Sequence, residues 1–207
     1  MYSSAVSKRR QMLLDAAIRV LGERGMRALT HRAVDAEAGV AAGSTANYFR
    51  TREALFEAIV EQVSAMERSR FDEVAAKVCP TSPAELGRAI AGFARDGTGV
   101  HRAMTLSRYA ILVEAGNNAK VRHQLAETGS RVNAWFANWL RLIGSRDPDY
   151  DVHVLGNYIT GLMLHELAIP DPEFDPTDKI TTLLESLVEP ARNRAPERSA
   201  RARGTAS

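Results

Sequence analysis

Apolar residues recur along this chain at the three- and four-residue spacing of amphipathic helices, and no stretch alternates convincingly over strand length. The first periodic run extends from Met12 to Leu21, and a longer one extends from Leu55 to Met66. Between them lie two short runs, one from Thr30 to Glu37 and one from Ala41 to Tyr48. The pattern predicts an all-α protein that begins with several short helices.

Beyond Pro83 the periodic runs become longer, and breaks rich in glycine, asparagine, aspartate or proline separate them. These runs predict helices at about 83–95, 100–115, 118–143, 149–168 and 176–189. The final stretch, 191–207, is rich in Arg, Ala and Ser and has no large apolar residue. Because it cannot bury enough surface to offset its ordering entropy, we expect this basic tail to be disordered.

The two short runs are joined by Ala38-Gly39-Val40, and a short turn containing glycine is typical of a helix-turn-helix. Gly39 would supply the positive φ angle of the turn, and Val40 would fill the corner. A helix as short as the second one is not stable alone. The first and fourth helices must therefore hold it, through apolar residues such as Leu14, Ile18, Phe49 and Leu55.

The outward face of the second short helix is predicted to be small and polar, formed by Ala42, Gly43, Ser44, Thr45, Asn47 and Tyr48. A slim helix end fits the major groove, which is about 12 Å wide, and Ser, Thr and Asn side chains can reach base edges there. We therefore predict a helix-turn-helix DNA-binding domain in residues 1–50. A connecting helix, 51–78, would lead to a larger helical domain, 79–190.

Charge is distributed unevenly along the chain. Residues 1–70 carry 11 Lys and Arg against 8 Asp and Glu, whereas residues 71–190 carry 11 against 16. A basic N-terminal part suits DNA binding, because neutralising phosphates releases counterions. The cluster Lys8-Arg9-Arg10 is either a solvated tail or a contact to phosphates or the minor groove.

Residues 8–60 resemble the DNA-binding domain of the tetracycline-repressor (TetR) family of bacterial regulators. The resemblance rests on an ordered set of motifs: Glu23-Arg24-Gly25, the Thr30-capped helix, Ala38-Gly39-Val40, Gly43-Ser44, Tyr48-Phe49, Arg52 and Glu53-Ala54-Leu55. It implies a homodimer that reads a palindromic operator. It also implies a C-terminal helical domain that dimerises and binds a small-molecule effector.

The resemblance also implies roles for single residues. Thr30 would cap its helix and contact a phosphate, Arg32 would contact a base edge or a phosphate, and Arg52 would meet a phosphate. The groove positions would be Ala42, Gly43, Ser44, Thr45 and Asn47, with Tyr48 against the DNA backbone.

Three positions depart from the usual family pattern. Ala46, Tyr48 and Arg52 stand where the family often has Tyr, His and Lys. Arginine for lysine keeps the charge, but the missing aromatic at Ala46 removes a phosphate contact. We therefore expect Arg32 and Arg52 to carry more of the grip on the DNA backbone.

The larger domain carries polar and aromatic residues that could line an effector pocket, because such pockets place a few polar groups in an apolar wall. The candidates are Arg108, Tyr109, Trp135, Trp139 and His165. Ordinary core packing is the alternative for the two tryptophans. The helices at about 149–168 and 176–189 predict the homodimer interface, since two from each subunit would form a four-helix bundle. The alternative is that both pack inside one subunit.

Other functional classes find little support in the sequence. The one cysteine, Cys79, excludes an internal disulfide, and no apolar run approaches about 20 residues, so we expect a cytoplasmic protein. No zinc-protease motif or phosphate-binding loop is present, and we expect no catalytic residue, metal site or cofactor. The leading hypothesis is a repressor released from its operator by a small molecule. The alternatives are a constitutive DNA-binding protein and a helical enzyme.

Overall fold

The computed structural model describes residues 2–188, without the side chains of residues 2–6, Thr128 and Arg131. The tail predicted at 191–207 lies outside the described residues. Helices make up 80% of the structure, and no strand occurs between residues 2 and 188, which confirms the all-α fold. The helices of this range are α1 (Tyr2–Arg24), α2 (His31–Glu37), α3 (Ser44–Tyr48), α4 (Arg52–Lys77), α5 (Pro83–Thr98), α6 (Arg102–Ala115), α7 (Ala119–Leu142), α8 (Pro148–Ala168) and α9 (Thr177–Val188).

Side-chain caps determine where several helices begin. The Thr30 hydroxyl accepts a hydrogen bond from the Ala33 amide at 3.1 Å, and the Thr51 hydroxyl accepts one from the Ala54 amide at 3.0 Å. The Thr30 cap is as predicted, and each of the two caps satisfies an amide that has no partner within its helix. Ser82 caps α5 in the same way.

A first core holds the helix-turn-helix together. Apolar residues of α1, α2, α4 and α6 form most of it, and its fully buried residues include Leu13, Val34, Leu55, Ile59 and Leu29, which lies between α1 and α2. The predicted clamp is confirmed, because Leu14, Ile18, Phe49 and Leu55 all lie in this core. Phe49, the residue that follows α3, is thus anchored in a core built largely by longer helices.

A second core lies among α5, α7, α8 and α9. Its fully buried residues include Leu86, Leu140, Leu155, Ile180 and Leu184. The C-terminal half of α4 packs against this core through partly buried residues such as Phe71 and Val74. The helix α4 therefore belongs to both cores. No helix between residues 2 and 188 is long and apolar enough to cross a membrane.

The helix α6 joins the two cores. Met104 and Ile111 of α6 are buried in the first core. The Ser107 hydroxyl donates a hydrogen bond to the Ile18 carbonyl of α1 at 2.6 Å. Gly22 of α1 allows this approach, because a Cβ atom there would lie 2.1 Å from the Ala103 carbonyl oxygen. The predicted domain boundary at residues 78–79 stays a prediction, since α6 lies beyond it yet shares the first core.

Candidate nucleic-acid interface

The turn between α2 and α3 has the predicted geometry. Gly39 adopts a φ of 64°, the left-handed conformation that glycine accepts without strain. The Val40 amide then donates to the Asp35 carbonyl at 2.9 Å, and the Val40 side chain packs against the first core. The predicted role of both residues is confirmed.

The helix α3 is shorter than predicted. The sequence indicated a helix from about Ala41 to Tyr48, but α3 begins at Ser44. Gly43 causes the difference, because its φ of 88° places it outside the helix. The Ser44 hydroxyl donates to the Ala41 carbonyl at 2.6 Å and closes the turn before the helix. The exposed residues Ala42 and Gly43 therefore lie in this turn.

The prediction that Thr45 faces the bases of DNA is wrong. Its side chain is 0% exposed, and its hydroxyl donates to Asp35 Oδ1 at 2.6 Å. A buried hydroxyl committed to a carboxylate cannot face a base edge. On a helix that begins at Ser44, position 45 faces α2, so the predicted outward face included one residue too many.

Asp35 organises the start of α3. It is 2% exposed, and its carboxylate also accepts from the Gly43 amide and the Thr45 amide, each at 2.8 Å. Burial alone would raise the pKa of Asp35, but the hydrogen bonds from Thr45 and Gly43 outweigh it and lower that pKa. Asp35 is therefore an ionised, fully engaged side chain between α2 and α3.

Two further side chains hold the surrounding backbone. His31 Nε2 lies 2.6 Å from the Phe49 carbonyl oxygen, to which it donates at the C-terminal end of α3. Arg52 donates from Nε to the Leu29 carbonyl at 3.0 Å and from Nη2 to the Met26 carbonyl at 2.5 Å. The predicted phosphate ligand Arg52 thus has a structural task that the sequence did not indicate.

The outward surface of this region, which we call the reading face, is small and polar. Ala42, Gly43, Ala46 and Asn47 are exposed, and Ser44 and Tyr48 are partly exposed. The predicted outward face is thus correct except for two residues: Thr45 is buried, and Ala46 is exposed as well. Of the two exposed residues of α3, Ala46 and Asn47, only Asn47 has a side chain with hydrogen-bonding groups.

Exposed arginines flank the reading face along the chain. Arg32 lies on the first turn of α2, two residues after the exposed cap Thr30, and Arg50 follows Phe49, the residue after α3. Arg10 places its guanidinium 5.3 Å from the centre of the ring of Phe49, the residue that follows α3. The structure thus brings one residue of the basic N-terminal cluster, Arg10, to the helix-turn-helix.

Other cations of this domain are tied to an acid. Arg19 and Arg24 of α1 bind the two carboxylate oxygens of Glu37 at 2.9 Å and 2.7 Å. The hydrogen bond from Arg19 is the main reason that the pKa of Glu37 is lowered. These two arginines connect α1 to the end of α2 and add less positive charge to the DNA side.

Two of the predicted effector residues, Arg108 and Tyr109, join helices of the second domain. Arg108 of α6 places Nε 2.5 Å from the Oε1 atom of Glu67 in α4, whose side chain is 12% exposed. Burial raises the pKa of Glu67, although the charges of Arg108 and Arg70 oppose the change. The Tyr109 hydroxyl donates to the Thr160 carbonyl of α8 at 2.6 Å, and burial raises its pKa.

The other predicted effector residues lie in different surroundings. Trp135 and Trp139 pack edge to face with ring centroids 6.0 Å apart, and Trp139 is buried in the second core. The void beside Trp139 measures about 10 Å³, which is at most the space of one water molecule. His165 is exposed on α8. Ordinary core packing is thus the role the structure shows for Trp139.

Two family models match consecutive parts of the chain. Residues 13–59 match the model of bacterial regulatory proteins of the tetR family, and residues 81–190 match the tetracyclin repressor-like C-terminal domain. The chain belongs to the TetR family. It is a DNA-binding transcriptional regulator, which confirms the resemblance found in its sequence.

Solved structures and a curated relative agree with this assignment. A transcriptional regulator from Rhodococcus sp. Rha1 has the same fold, with a TM-score of 0.72, 19% identity, and coverage of 86% of this chain and 95% of that one. The multidrug binding protein EbrR, solved with ethidium, has a TM-score of 0.62 and 28% identity over 87% of this chain and 99% of that one. The nucleoid occlusion factor SlmA of Haemophilus influenzae is 28% identical over 163 residues, 76% of this chain and 72% of that protein.

Three residues of this TetR-family regulator have roles that the sequence did not predict. Asp35 and His31 position α3, and Glu67 pairs with Arg108. Asp35 gave one usable signal, since it follows the inward-facing Val34 on a very short helix, where a charged side chain needs a partner. Glu67 gave none, because a glutamate within a long helix is ordinarily solvated.

Proposed function

We propose that this regulator acts as a homodimer that binds a palindromic operator, placing α3 of each protomer in the major groove. The observation that carries the proposal is the reading face, a small polar surface flanked along the chain by the exposed Arg32 and Arg50, with Arg10 at Phe49. Small residues at the leading end allow close approach, and Asn47 offers both a donor and an acceptor to a base edge. Thr30, Arg32, Tyr48 and Arg52 would contact the DNA backbone.

The homodimer would form through α8 and α9. Along the exposed side of α8, Tyr150 and Leu164 remain exposed in the protomer, and Ile169 is exposed just beyond the helix. Gly161 lies on the same helix, with nothing within 4 Å of the place where its Cβ would be. An apolar stripe with an open glycine suits close packing of a second helix, and a second copy of α8 would cover it.

We also propose that a small-molecule effector releases the operator. Arg108 and Tyr109 are the candidate ligands, because both are partly buried and both tie α6 to its neighbours. An effector that displaces Arg108 from Glu67 would free α6 to shift against α1. EbrR, the relative solved with ethidium, supports an effector of small organic type. The effect on operator affinity can be no larger than the ratio of the effector's affinities for the two conformations.

Titration of labelled DNA tests the proposal. The purified full chain would be mixed with the promoter region next to its own coding sequence and with random DNA of equal length, at several salt concentrations. We expect binding to the promoter to be at least about 1,000-fold tighter. Equal affinity for both DNAs would contradict the operator proposal. Addition of an effector found by thermal shift should lower the promoter affinity alone.

A constitutive DNA-binding protein is the second candidate, and one observation favours it. The aromatic cluster around Trp139 is tightly filled, with a void of only about 10 Å³. Thermal shift against a metabolite collection separates the two candidates, because a ligand that binds the folded state raises the melting temperature. If no compound in the collection raises the melting temperature, the result favours the constitutive DNA-binding protein.

A further inference from the structure

Both ends of α3 are held by one neighbouring helix. His31 and Asp35 are four residues apart on α2 and therefore share a face. At one end Asp35 accepts from Gly43 and Thr45, and at the other end His31 donates to the Phe49 carbonyl. We call this arrangement the α2 frame.

The α2 frame matters because α3 is only five residues long. One turn of helix has no stable existence in water, so its direction and rotation are decided by what it is attached to. The frame makes polar attachments from α2 at both ends. An apolar contact such as Phe49 with the first core can slide, whereas hydrogen bonds have short distance and angle limits.

The rotation of α3 decides which side chains face the DNA. Successive residues of a helix are about 100° apart around its axis, so even a partial rotation exchanges the exposed residues. With Thr45 drawn to Asp35, the exposed positions of α3 are Ala46 and Asn47. If Thr45 were released, its hydroxyl could turn outward, and the same rotation would change the direction in which Asn47 faces.

We propose that Asp35 is a positioning residue for DNA recognition. Its carboxylate sets the rotation of α3, so that operator discrimination depends on a side chain that does not itself touch DNA. His31 supports the other end of the same helix. The inference rests on the proposed reading of DNA by α3.

The decisive comparison uses Asp35→Asn and Glu37→Gln. Asparagine has the shape of aspartate, but its amide group cannot accept from both the Gly43 and the Thr45 donors. Glu37 is a matched control, since it lies on the same helix and binds Arg19 and Arg24 of α1 instead of α3. Affinities for operator and random DNA would be measured for each full-length protein over a range of salt concentrations.

We expect Asp35→Asn to lower the operator-to-random affinity ratio about 10- to 100-fold, the effect of leaving buried donors without a partner. Binding to random DNA and its salt dependence should change little, because the phosphate contacts remain. Glu37→Gln should keep the ratio. Loss of the ratio in both variants, in proportion to their melting temperatures, would reduce Asp35 to a purely structural residue and overturn the inference.

A second pair of variants keeps the test valid if Asp35→Asn does not fold. Thr45→Ser retains the hydroxyl that binds Asp35, and Thr45→Val replaces it with a methyl group of similar size. We expect Thr45→Ser to preserve discrimination and Thr45→Val to lose it. Equal discrimination by the two folded variants would overturn the inference. If the unmodified protein does not distinguish operator from random DNA, the proposed function fails instead.

Discussion

Arg32 and Arg52 are both exposed arginines at helix N-termini, yet their guanidinium groups are used differently. Arg52 donates to the Met26 and Leu29 carbonyls, which fastens α4 to the segment before α2. Arg32 is exposed on the first turn of α2, which leaves its guanidinium accessible to DNA. The two arginines have equal charge and similar placement at a helix start. Removing Arg52 should nevertheless lower the stability of the protein, whereas removing Arg32 should not.

Alanine substitutions separate the two arginines. Arg32→Ala should lower the salt slope of DNA binding by about one and leave the melting temperature unchanged. Arg52→Ala should also destabilise the protein, by about 1–3 kcal/mol, because two carbonyls lose charged donors. Urea unfolding and salt-dependent titration measure the two effects. A stable Arg52→Ala protein would contradict the fastening role.

Asn47 is the side chain expected to contribute most to base discrimination. Asn47→Ala should cost about 1–3 kcal/mol at one base pair of each half-site and little elsewhere. Titration against operators substituted one position at a time locates the effect. Asn117→Ala serves as a control, because Asn117 is exposed just beyond α6 and lies outside the reading face. A uniform loss across all operator variants would assign Asn47 to the DNA backbone.

The lowered pKa of Asp35 predicts how its contribution depends on pH. A carboxyl group with a lowered folded pKa contributes its full stabilisation above the ordinary pKa of 3.8 and loses it as the pH falls through the folded pKa. The stability difference between the natural protein and Asp35→Asn should therefore be constant above about pH 5 and shrink as the pH falls below about 4. Urea unfolding at several pH values measures it, and a constant difference would show that Asp35 is not ionised.

At the scale of elements, the sequence predicted helix identity well and side-chain orientation less well. Thr30 and Thr51 mark helix starts because a cap depends on residues three positions apart. The orientation of Thr45 depends on Asp35, ten residues earlier and on another helix. The hydrophobic pattern around Thr45 does not show a contact with a residue on another helix. The start of α3 was placed too early for a related reason, since Gly43 could continue a helix until its φ is known.

The contact between α1 and α6 predicts the effect of a single methyl group. Gly22→Ala would place a Cβ atom against the Ala103 carbonyl and push the two helices apart. Overpacking of this kind costs about 1–3 kcal/mol. Because α6 also carries Arg108, the substitution should change operator affinity as well as melting temperature. Gly92→Ala on α5, with open space at its Cβ, is the control.

At the scale of the whole molecule, the two cores are linked by helices that belong to both. Helix α4 runs from the first core to the second, and α6 is bonded to α1 through Ser107 and to α4 through Arg108. The sequence suggested a clean division at residue 78, because a proline-rich break follows α4. Long-range packing of α6 on α1 was invisible in that pattern, since its apolar residues would suit either core.

The proposed dimer is tested by a bulky residue on α8. Gly161→Leu should weaken self-association at least about tenfold, because the side chain would enter the space reserved for a second helix. It should leave the protomer folded, as nothing lies near that position within the protomer. Sedimentation velocity measures the change, with Gly92→Leu as the control. An unchanged dimer would place the interface elsewhere.

The α2 frame has a consequence for how such a regulator acquires new operators. Its bonding residues, His31 and Asp35, are partly or fully buried, whereas Ala42, Ala46 and Asn47 are exposed and contribute no bond to the frame. The residues that position α3 are therefore different from the residues that α3 and its preceding turn present to DNA. Gene duplicates can diverge in target at these few positions while folding stability stays constant, and a library randomised only there should yield a high fraction of soluble variants with altered specificity.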